Sequence, residues 1–193
     1  MKKLILASAS PRRRELLSAA GFEFSVVTSN VTEDENPSGD PRAMALGNAS
    51  AKARAVALKN LGALVLGADT VVALGGRVFN KPENLNAARE MLRALSGREH
   101  TVFTGVAFAS ADARDAEKIF LETHVVACRV KFRALDDATI SRYFSRVNPL
   151  DKAGAYGIQE ARELIIESWD EPMSAIVGLP VEIIAPRLRE LLR

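Results

Sequence analysis

The chain has 193 residues, of which 48% are hydrophobic and 26% are charged, and its formal net charge is +2. This composition is typical of a globular protein with a sizeable core and excludes a disordered chain. The near balance of acidic and basic residues gives no general attraction to nucleic acid or to a membrane surface, so an anion site must be a local cluster.

The first predicted elements are a strand, a tight turn and a helix. Residues 4–6 form a short apolar run that is typical of a buried strand. Ser10 stands where a helix N-cap belongs, and Pro11 suits the first helical position. Gly21 follows the last apolar residue at helical spacing and is placed to end the helix.

Three arginines, Arg12, Arg13 and Arg14, occupy the first turn of this predicted helix. Cations are unfavourable there because the N-terminal end of a helix carries partial positive charge. Together with the free N–H groups of the first turn, they form a site for an anion. Successive helical residues point about 100° apart, so we expect at least one arginine to face a phosphate and one to be a solvated surface charge.

The elements predicted next alternate between strands and helices. They are a strand at 22–28, an acidic loop at 31–41, a helix at 41–61 that Gly62 ends, a strand at 64–74, a Gly75-Gly76 hairpin turn, a return strand at 77–79, and a helix that Asn84 caps and that ends near Gly97.

Two long β-rich stretches, 100–109 and 119–132, are joined by a polar turn and predict an antiparallel hairpin. The remaining predicted elements are a helix capped by Asp136 or Asp137, a glycine-bearing loop at 147–160, a short strand at 164–167 and a helix at 180–192. Helices between strands, together with one long hairpin, predict an α/β fold on a mixed sheet. No internal repeat or linker divides the chain, so we expect a single domain over residues 1–193.

Asp69 is the sharpest functional signal because it interrupts an apolar strand. A carboxylate that is buried there without a partner costs several kcal/mol, so it requires a cation, a metal or hydrogen-bond donors nearby. A strand-end aspartate that pairs with an arginine is the alternative. The small neighbours Gly67 and Ala68 allow a ligand to approach closely, which favours a functional role.

Four further polar residues gain meaning only as a set: Glu33 in the acidic loop, Lys52 on the second helix, Lys81 before a proline, and Gln159 in the glycine-bearing loop. Each one alone is more often a solvated surface residue. Together with the arginines and Asp69, they suit a substrate with several phosphates and a divalent cation.

Other chemistries and settings are disfavoured. His100 and His124 lie in β-rich stretches without acidic or cysteine partners at ligand spacing, so a zinc site is not expected. Walker A, G-x-S-x-G and G-x-G-x-x-G motifs are absent. The single cysteine, Cys128, is predicted to be buried. Asp69 interrupts the longest apolar region, 63–74, so we expect no membrane span and, by default, a cytoplasmic protein.

The sequence resembles the Maf family of nucleoside triphosphate pyrophosphatases nearly from end to end. The matching stretches are ASASPRRRELL at 7–17, Glu33, NASAKARA around Lys52, GADTVV at 67–72, KP at 81–82, LSGREHTVFTGVA at 95–107, LDKAGAYGIQ at 150–159 and VGLP at 177–180. The resemblance implies an elongated fold similar to inosine triphosphatase, with a central mixed β-sheet, flanking helices and a cleft between two lobes. It also implies hydrolysis of a nucleoside triphosphate to the monophosphate and pyrophosphate, with Mg²⁺ or Mn²⁺, in a cytoplasmic homodimer.

The resemblance further implies a role for each matching polar residue. Asp69 would be the general base or a metal-bound carboxylate, and Glu33 would help to hold the metal. The residues that would hold phosphate oxygens are Ser8, Arg13, Lys52 and Lys81. Base specificity would be set by Arg12, Thr70 and Gln159, a combination similar to the branch that acts on dTTP and UTP.

Two alternatives stay open. One is the same chemistry on modified purine nucleotides such as 7-methyl-GTP, and the other is a nucleotide-binding regulator of cell division that does not turn its ligand over. The sequence also departs from the family pattern in two places. Thr32 stands where many relatives have another acid, and the stretch ESWDEPMSAI replaces a Gly-Ser-Tyr-like turn, so we expect Trp169, Asp170 and Pro172 to reshape one rim of the cleft.

Overall fold

A computed structural model describes residues 2–115 and 117–193 of the chain. The strands in these residues are β1 (Leu4–Ala7), β2 (Ser25–Val26), β3 (Leu64–Leu74), β4 (Arg77–Phe79), β5 (Glu99–Ala111), β6 (Ile119–Phe132) and β7 (Ile166–Trp169). The helices are α1 (Pro11–Ala19), α2 (Pro41–Ala57), α3 (Leu85–Leu95), α4 (Asp137–Phe144), α5 (Arg162–Ile165), α6 (Met173–Val177) and α7 (Val181–Leu191), with a 3₁₀ turn at Ala153–Ala155.

All of these strands join one sheet in the order β2-β1-β3-β5-β6-β7, with β4 also paired to β3. β1 runs parallel to β2 and β3, and the pairs from β3 onward are antiparallel. The mixed α/β fold predicted from the sequence is therefore confirmed. None of the described helices combines the length and apolar character that a membrane crossing needs.

One edge of β3 is left open in its middle. β1 pairs with β3 only as far as Gly67, and β4 pairs with it only from Val72 onward. β5 occupies the other edge of β3 along almost its whole length. Residues 68–71 therefore form a gap that no described strand covers, called the β3 gap below. Asp69 and Thr70 lie at its centre.

Helix α2 packs very close to one face of the sheet. Gly67 on β3 and Gly105 on β5 face this helix, and a methyl group at either position would overlap the backbone carbonyl oxygen of Ala49 or Ala45. Glycine inside a strand is typical where another backbone approaches closely. This approach allows side chains of α2 to reach the β3 gap.

The opposite face of the sheet carries two apolar clusters. The first packs Leu17 of α1 and Leu188 of α7 against the N-terminal strands. The second packs Leu92 of α3 and Tyr143 of α4 against β5 and β6. It also contains Cys128, so the predicted burial of that residue is confirmed.

Most of the predicted elements are confirmed, and their local signals act as expected. The Arg13 N–H donates to Ser10 Oγ at the start of α1, and Asn84 caps α3 through a bond from the Ala87 N–H. The Gly75-Gly76 turn and the long β5–β6 hairpin also form as predicted.

Two N-terminal boundaries were predicted wrongly. The strand expected at 22–28 is limited to β2, because only these two residues pair with β1. Phe22 and Phe24 pack against the first apolar cluster without strand pairing. The helix expected at 41–61 ends at Ala57, where the Asn60 side-chain amide donates to the Val56 carbonyl and the chain turns.

Residues 162–177 differ from the prediction as well. The strand expected at 164–167 begins only at Ile166, because Leu164 and Ile165 belong to the short helix α5. β7 then pairs with the end of β6 across an irregular register. Helix α6 was missed, because its five residues carry no full period of apolar side chains.

Candidate active site

A cavity of about 370 Å³ lies over the β3 gap. It is lined by the turn between β1 and α1, by the acidic loop before α2, by α2 itself and by the glycine-bearing loop. The predicted site residues among its walls are Ser8, Arg12, Arg13, Glu33, Lys52, Asp69, Thr70, Lys81 and Gln159. The structure thus brings every predicted site residue to one hollow, while Arg14 is exposed outside it.

Asp69 faces α2 and forms a buried ion pair. The Lys52 Nζ lies 2.8 Å from Asp69 Oδ1 and 3.0 Å from Glu33 Oε1. Asp69 and Lys52 are each only 7% exposed, whereas the Glu33 side chain is 38% exposed. Lys52 therefore holds both carboxylates, one in the interior and one at the cavity mouth. This pairing satisfies the requirement that a buried carboxylate has a cation beside it.

Asn48 also contacts Asp69, from one helical turn before Lys52. Its Nδ2 donates to Asp69 Oδ2 at 3.0 Å, so each carboxylate oxygen of Asp69 has a donor on α2. Asn48 is 6% exposed, and the sequence alone predicts no role for it.

Arg13 reaches the other face of the β3 gap and is bound on three sides. Its Nη1 donates to Ser8 Oγ at 3.2 Å, its Nη2 to Thr70 Oγ1 at 3.1 Å and its Nε to the Gly178 carbonyl at 2.9 Å. Burial lowers the pKa of the Arg13 guanidinium, and the negative charges of the nearby carboxylates, above all Asp69, oppose this change. The guanidinium is thus a fixed cation at the wall of the cavity.

Thr70 takes part in a hydrogen-bond chain inside the protein. Thr104 is fully buried, and its hydroxyl donates to the Ala175 carbonyl at 2.7 Å. Its only hydroxyl proton is used there, so at 3.1 Å the Thr70 hydroxyl must donate to Thr104 and accept from Arg13. The Thr70 hydroxyl therefore orients Arg13, in addition to lining the cavity near the residues expected to set base specificity.

The glycine-bearing loop forms the opposite wall. Arg12 donates to Asp151 at 3.0 Å, and Asp151 also accepts from the buried Lys152 at 2.7 Å. Partial burial raises the pKa of the Asp151 carboxyl, but the bonds from Lys152 and Arg12 outweigh it and lower that pKa overall. Gln159 is exposed on this wall, and Lys81 is exposed near the acidic loop.

Four residues of the site, Asn48, Thr104, Asp151 and Lys152, had no role in the sequence prediction. Asp151 and Lys152 lie in the matching stretch LDKAGAYGIQ, but the resemblance implied no role for either residue. A polar residue one helical turn before Lys52 could have indicated Asn48, because residues four apart share one face of a helix. Thr104 gave no local signal, since threonine is common in strands.

These observations define a class of protein: a mixed α/β fold whose cleft holds a buried carboxylate–ammonium pair opposite fixed guanidinium groups, a combination suited to a phosphorylated ligand. The chain belongs to the Maf family, since the family model described as Maf-like protein matches residues 3–191.

Relatives match over nearly the whole chain. The chain is 47% identical over 181 residues to a dTTP/UTP pyrophosphatase of Moorella thermoacetica, with 94% of this chain and 91% of the relative covered. It is 42% identical over 192 residues to a dTTP/UTP pyrophosphatase of Pelotomaculum thermopropionicum, with 98% and 97% covered. A solved structure described as a nucleoside-triphosphatase / dITP/XTP pyrophosphatase of Mycobacterium abscessus is 14% identical, covers 99% of this chain and 98% of that chain, and has a TM-score of 0.46.

Proposed function

We propose that this protein hydrolyses dTTP and UTP to the monophosphate and pyrophosphate. The observation that carries the proposal is the buried Asp69–Lys52 pair, which shares one cavity with the fixed Arg13 guanidinium. Relatives named dTTP/UTP pyrophosphatase at 40–47% identity support the substrate class. Housekeeping of the cellular nucleotide pool is the role that this reaction would serve, and we place it in the cytoplasm.

In this proposal Asp69 accepts the proton of the water that attacks the α-phosphorus. Lys52 and Asn48 hold its two oxygens, so the carboxylate is oriented before the substrate arrives. As the P–O bond to the leaving pyrophosphate breaks, negative charge grows on the phosphate oxygens. Fixed cations such as Arg13 stabilise that charge and lower the barrier.

Base selection in this proposal belongs to the wall formed by the glycine-bearing loop. The Gln159 side chain offers both a donor and an acceptor, which match the O4 and N3–H edge that thymine and uracil share. Arg12 stands beside that wall through its bond to Asp151. The homodimer expected from the family resemblance stays a prediction.

A divalent cation fits this cavity only together with a substrate. Within the described part of the chain, three or more His, Cys, Asp and Glu side chains do not cluster as a protein-only metal site would require. Mg²⁺ is commonly held by one or two carboxylates plus substrate phosphates, and Glu33 and Asp69 supply the two carboxylates. Such an ion would neutralise charge on the leaving pyrophosphate and lower the pKa of its bound water.

The charges that line the cavity support this requirement. Among the described lining residues, five are cationic and five are carboxylates, so the walls are close to neutral overall. A triphosphate must therefore compete with carboxylates for Arg12, Lys52 and Lys152, which already form ion pairs. A divalent cation that binds those carboxylates at the same time would remove the competition. We therefore propose Mg²⁺ or Mn²⁺ as the cofactor.

The decisive experiment is a pyrophosphate-release assay with dTTP, UTP, CTP, ATP, GTP and 7-methyl-GTP, each with Mg²⁺ or Mn²⁺. We expect release from dTTP and UTP, with the monophosphate as the second product. Activity with 7-methyl-GTP alone would reject the proposed substrates but keep the reaction. Saturable nucleotide binding without a monophosphate product would reject the enzyme and favour a regulatory protein.

A further inference from the structure

We propose that Asn48 is a positioning residue that ties the acidic loop carrying Glu33 to the Asp69 carboxylate. This inference rests on the proposed function for its kinetic consequence, while its structural content is tested separately. The observation behind it is that one buried side-chain amide bonds both to the Asp69 carboxylate and to the backbone of the acidic loop, alongside the Lys52 ammonium that pairs with Asp69 and Glu33.

The contacts of Asn48 use both of its amide hydrogens and one acceptor position of its carbonyl oxygen. Its Nδ2 donates to Asp69 Oδ2 and to the Asp34 carbonyl, each at 3.0 Å. Its Oδ1 accepts from the Asp34 N–H at 2.8 Å. Both amide hydrogens are therefore used, and a rotated amide would place its oxygen against the Asp69 carboxylate, so the network permits one orientation.

Two asparagine side chains hold the backbone of the acidic loop, Asn48 at Asp34 and Asn80 at the Glu35 carbonyl. Residues 32–36 are exposed and have no helical or strand structure. The two bonds between Asp34 and Asn48 fix the backbone immediately after Glu33, whose carboxylate must stay within reach of Lys52. A loop held at its backbone in this way can present Glu33 at one place at the cavity mouth.

The burial of Asn48 follows from the close packing of α2 on the sheet. Asn48 is 6% exposed, and it sits beside Ala45 and Ala49, whose carbonyl oxygens lie against Gly105 and Gly67. A buried amide that lost its partners would cost free energy, so its three bonds are maintained together. The same packing therefore positions Asn48 against both Asp69 and the acidic loop.

Hydrogen exchange tests the tie directly, in the wild-type protein first. The Asp34 N–H is bound to Asn48 Oδ1, so we expect it to exchange at least about 10-fold more slowly than the same amide in an unstructured peptide. Exchange of Asp34 at the unstructured rate in the folded wild-type protein overturns the proposal without any variant.

Two substitutions then separate the two ends of the tie. Asn48→Ala removes every bond, so we expect faster exchange at Asp34 together with a loss of kcat of about 10- to 100-fold. Asn48→Asp keeps an acceptor for the Asp34 N–H but places a carboxylate oxygen against Asp69 in place of the donor, so we expect protected exchange at Asp34 and a loss of kcat at least as large as that of Asn48→Ala. In both variants KM should stay within about 3-fold of the wild-type value, because Arg13 and Ser8, on the other face of the β3 gap, are unchanged.

Asn60→Ala is the matched control, since it removes another side-chain amide of the same segment that bonds only to the Val56 carbonyl. We expect wild-type kcat and wild-type exchange at Asp34 in this variant. A kcat of Asn48→Ala within 2-fold of the Asn60→Ala value overturns the positioning role. If the wild-type protein hydrolyses none of the nucleotides, the proposed function fails, and the exchange measurement still decides whether the tie exists.

Discussion

Lys52 is the cation that pairs with both Asp69 and Glu33, and its removal should destabilise the whole protein. At an effective dielectric constant of about 20, unit charges at the observed Lys52–Asp69 separation of 2.8 Å attract each other by about 6 kcal/mol. Desolvation of the two groups offsets much of this attraction. The loss of only one partner leaves the desolvation cost of the other without compensation.

We therefore expect Lys52→Met to lower the free energy of unfolding by about 3 to 5 kcal/mol. Asp69→Asn should lower it by only about 1 kcal/mol, because Lys52 keeps Glu33 as a partner and the asparagine can still form hydrogen bonds. The double variant contains neither buried charge. It should recover at least about 2 kcal/mol of the stability that Lys52→Met loses.

Urea-induced unfolding at pH 7 of the four proteins measures this coupling. Arg54→Met, on the exposed side of the same helix, is the control and should change stability by less than about 0.5 kcal/mol. If the two single effects add within about 0.5 kcal/mol in the double variant, Lys52 and Asp69 are not an energetically coupled buried pair, and the reasoning is refuted.

The other predictions concern activity and pH. Asp69→Asn should remain folded and lose about 10²-fold or more in kcat in the pyrophosphate assay, and wild-type turnover would remove Asp69 from the mechanism. Thr104→Val should raise KM for dTTP by about 10-fold through a displaced Arg13, with Thr104→Ser restoring it; equal KM values in the two variants would contradict the hydrogen-bond chain. Burial lowers the pKa of His100 from 6.5 to about 4. As the pH falls, His100 is therefore protonated in the unfolded chain before it is protonated in the folded protein, and the free energy of unfolding should fall by about 2 kcal/mol between pH 7 and pH 4.5. Urea unfolding at both pH values should show a smaller fall in His100→Gln, and an unchanged fall would assign the pH dependence to other groups. A non-hydrolysable dUTP analogue should bind at least about 10-fold more tightly with Mg²⁺ than without it in calorimetry, whereas equal affinities would reject the proposed cofactor.

Local signals in the sequence were sufficient to predict those helices and turns whose ends are determined by residues close in the chain. The start of α1 follows from Ser10 and Pro11, and the β3–β4 turn follows from Gly75-Gly76. Local patterns were not sufficient to predict the extent of β2. Phe22 and Phe24 alternate because both pack on the core, and such burial does not require that they pair with a neighbouring strand.

For the site, too, single residues with a strong local signal could be predicted from the sequence, whereas contacts between distant residues could not. A charged residue inside an apolar strand identified Asp69, because burial of a charge has a large and general cost. The partner of Arg12 could not be predicted, because Asp151 is 139 residues away in the sequence. Asn48 and Asp69 are 21 residues apart and meet only because α2 lies so close to the sheet.

The β3 gap explains why one short strand segment serves both halves of the site. Adjacent residues of a strand point to opposite faces, so Asp69 and Thr70 would be separated by a continuous sheet. Here β1 ends at Ala7, and the uncovered edge lets both faces open into one cavity. Asp69 then contacts Lys52 on α2, and Thr70 contacts Arg13 on α1. A strand that continued β1 across residues 68–71 would keep both contacts but close the space between them, so the early end of β1 is as necessary to the proposed reaction as the charged residues themselves.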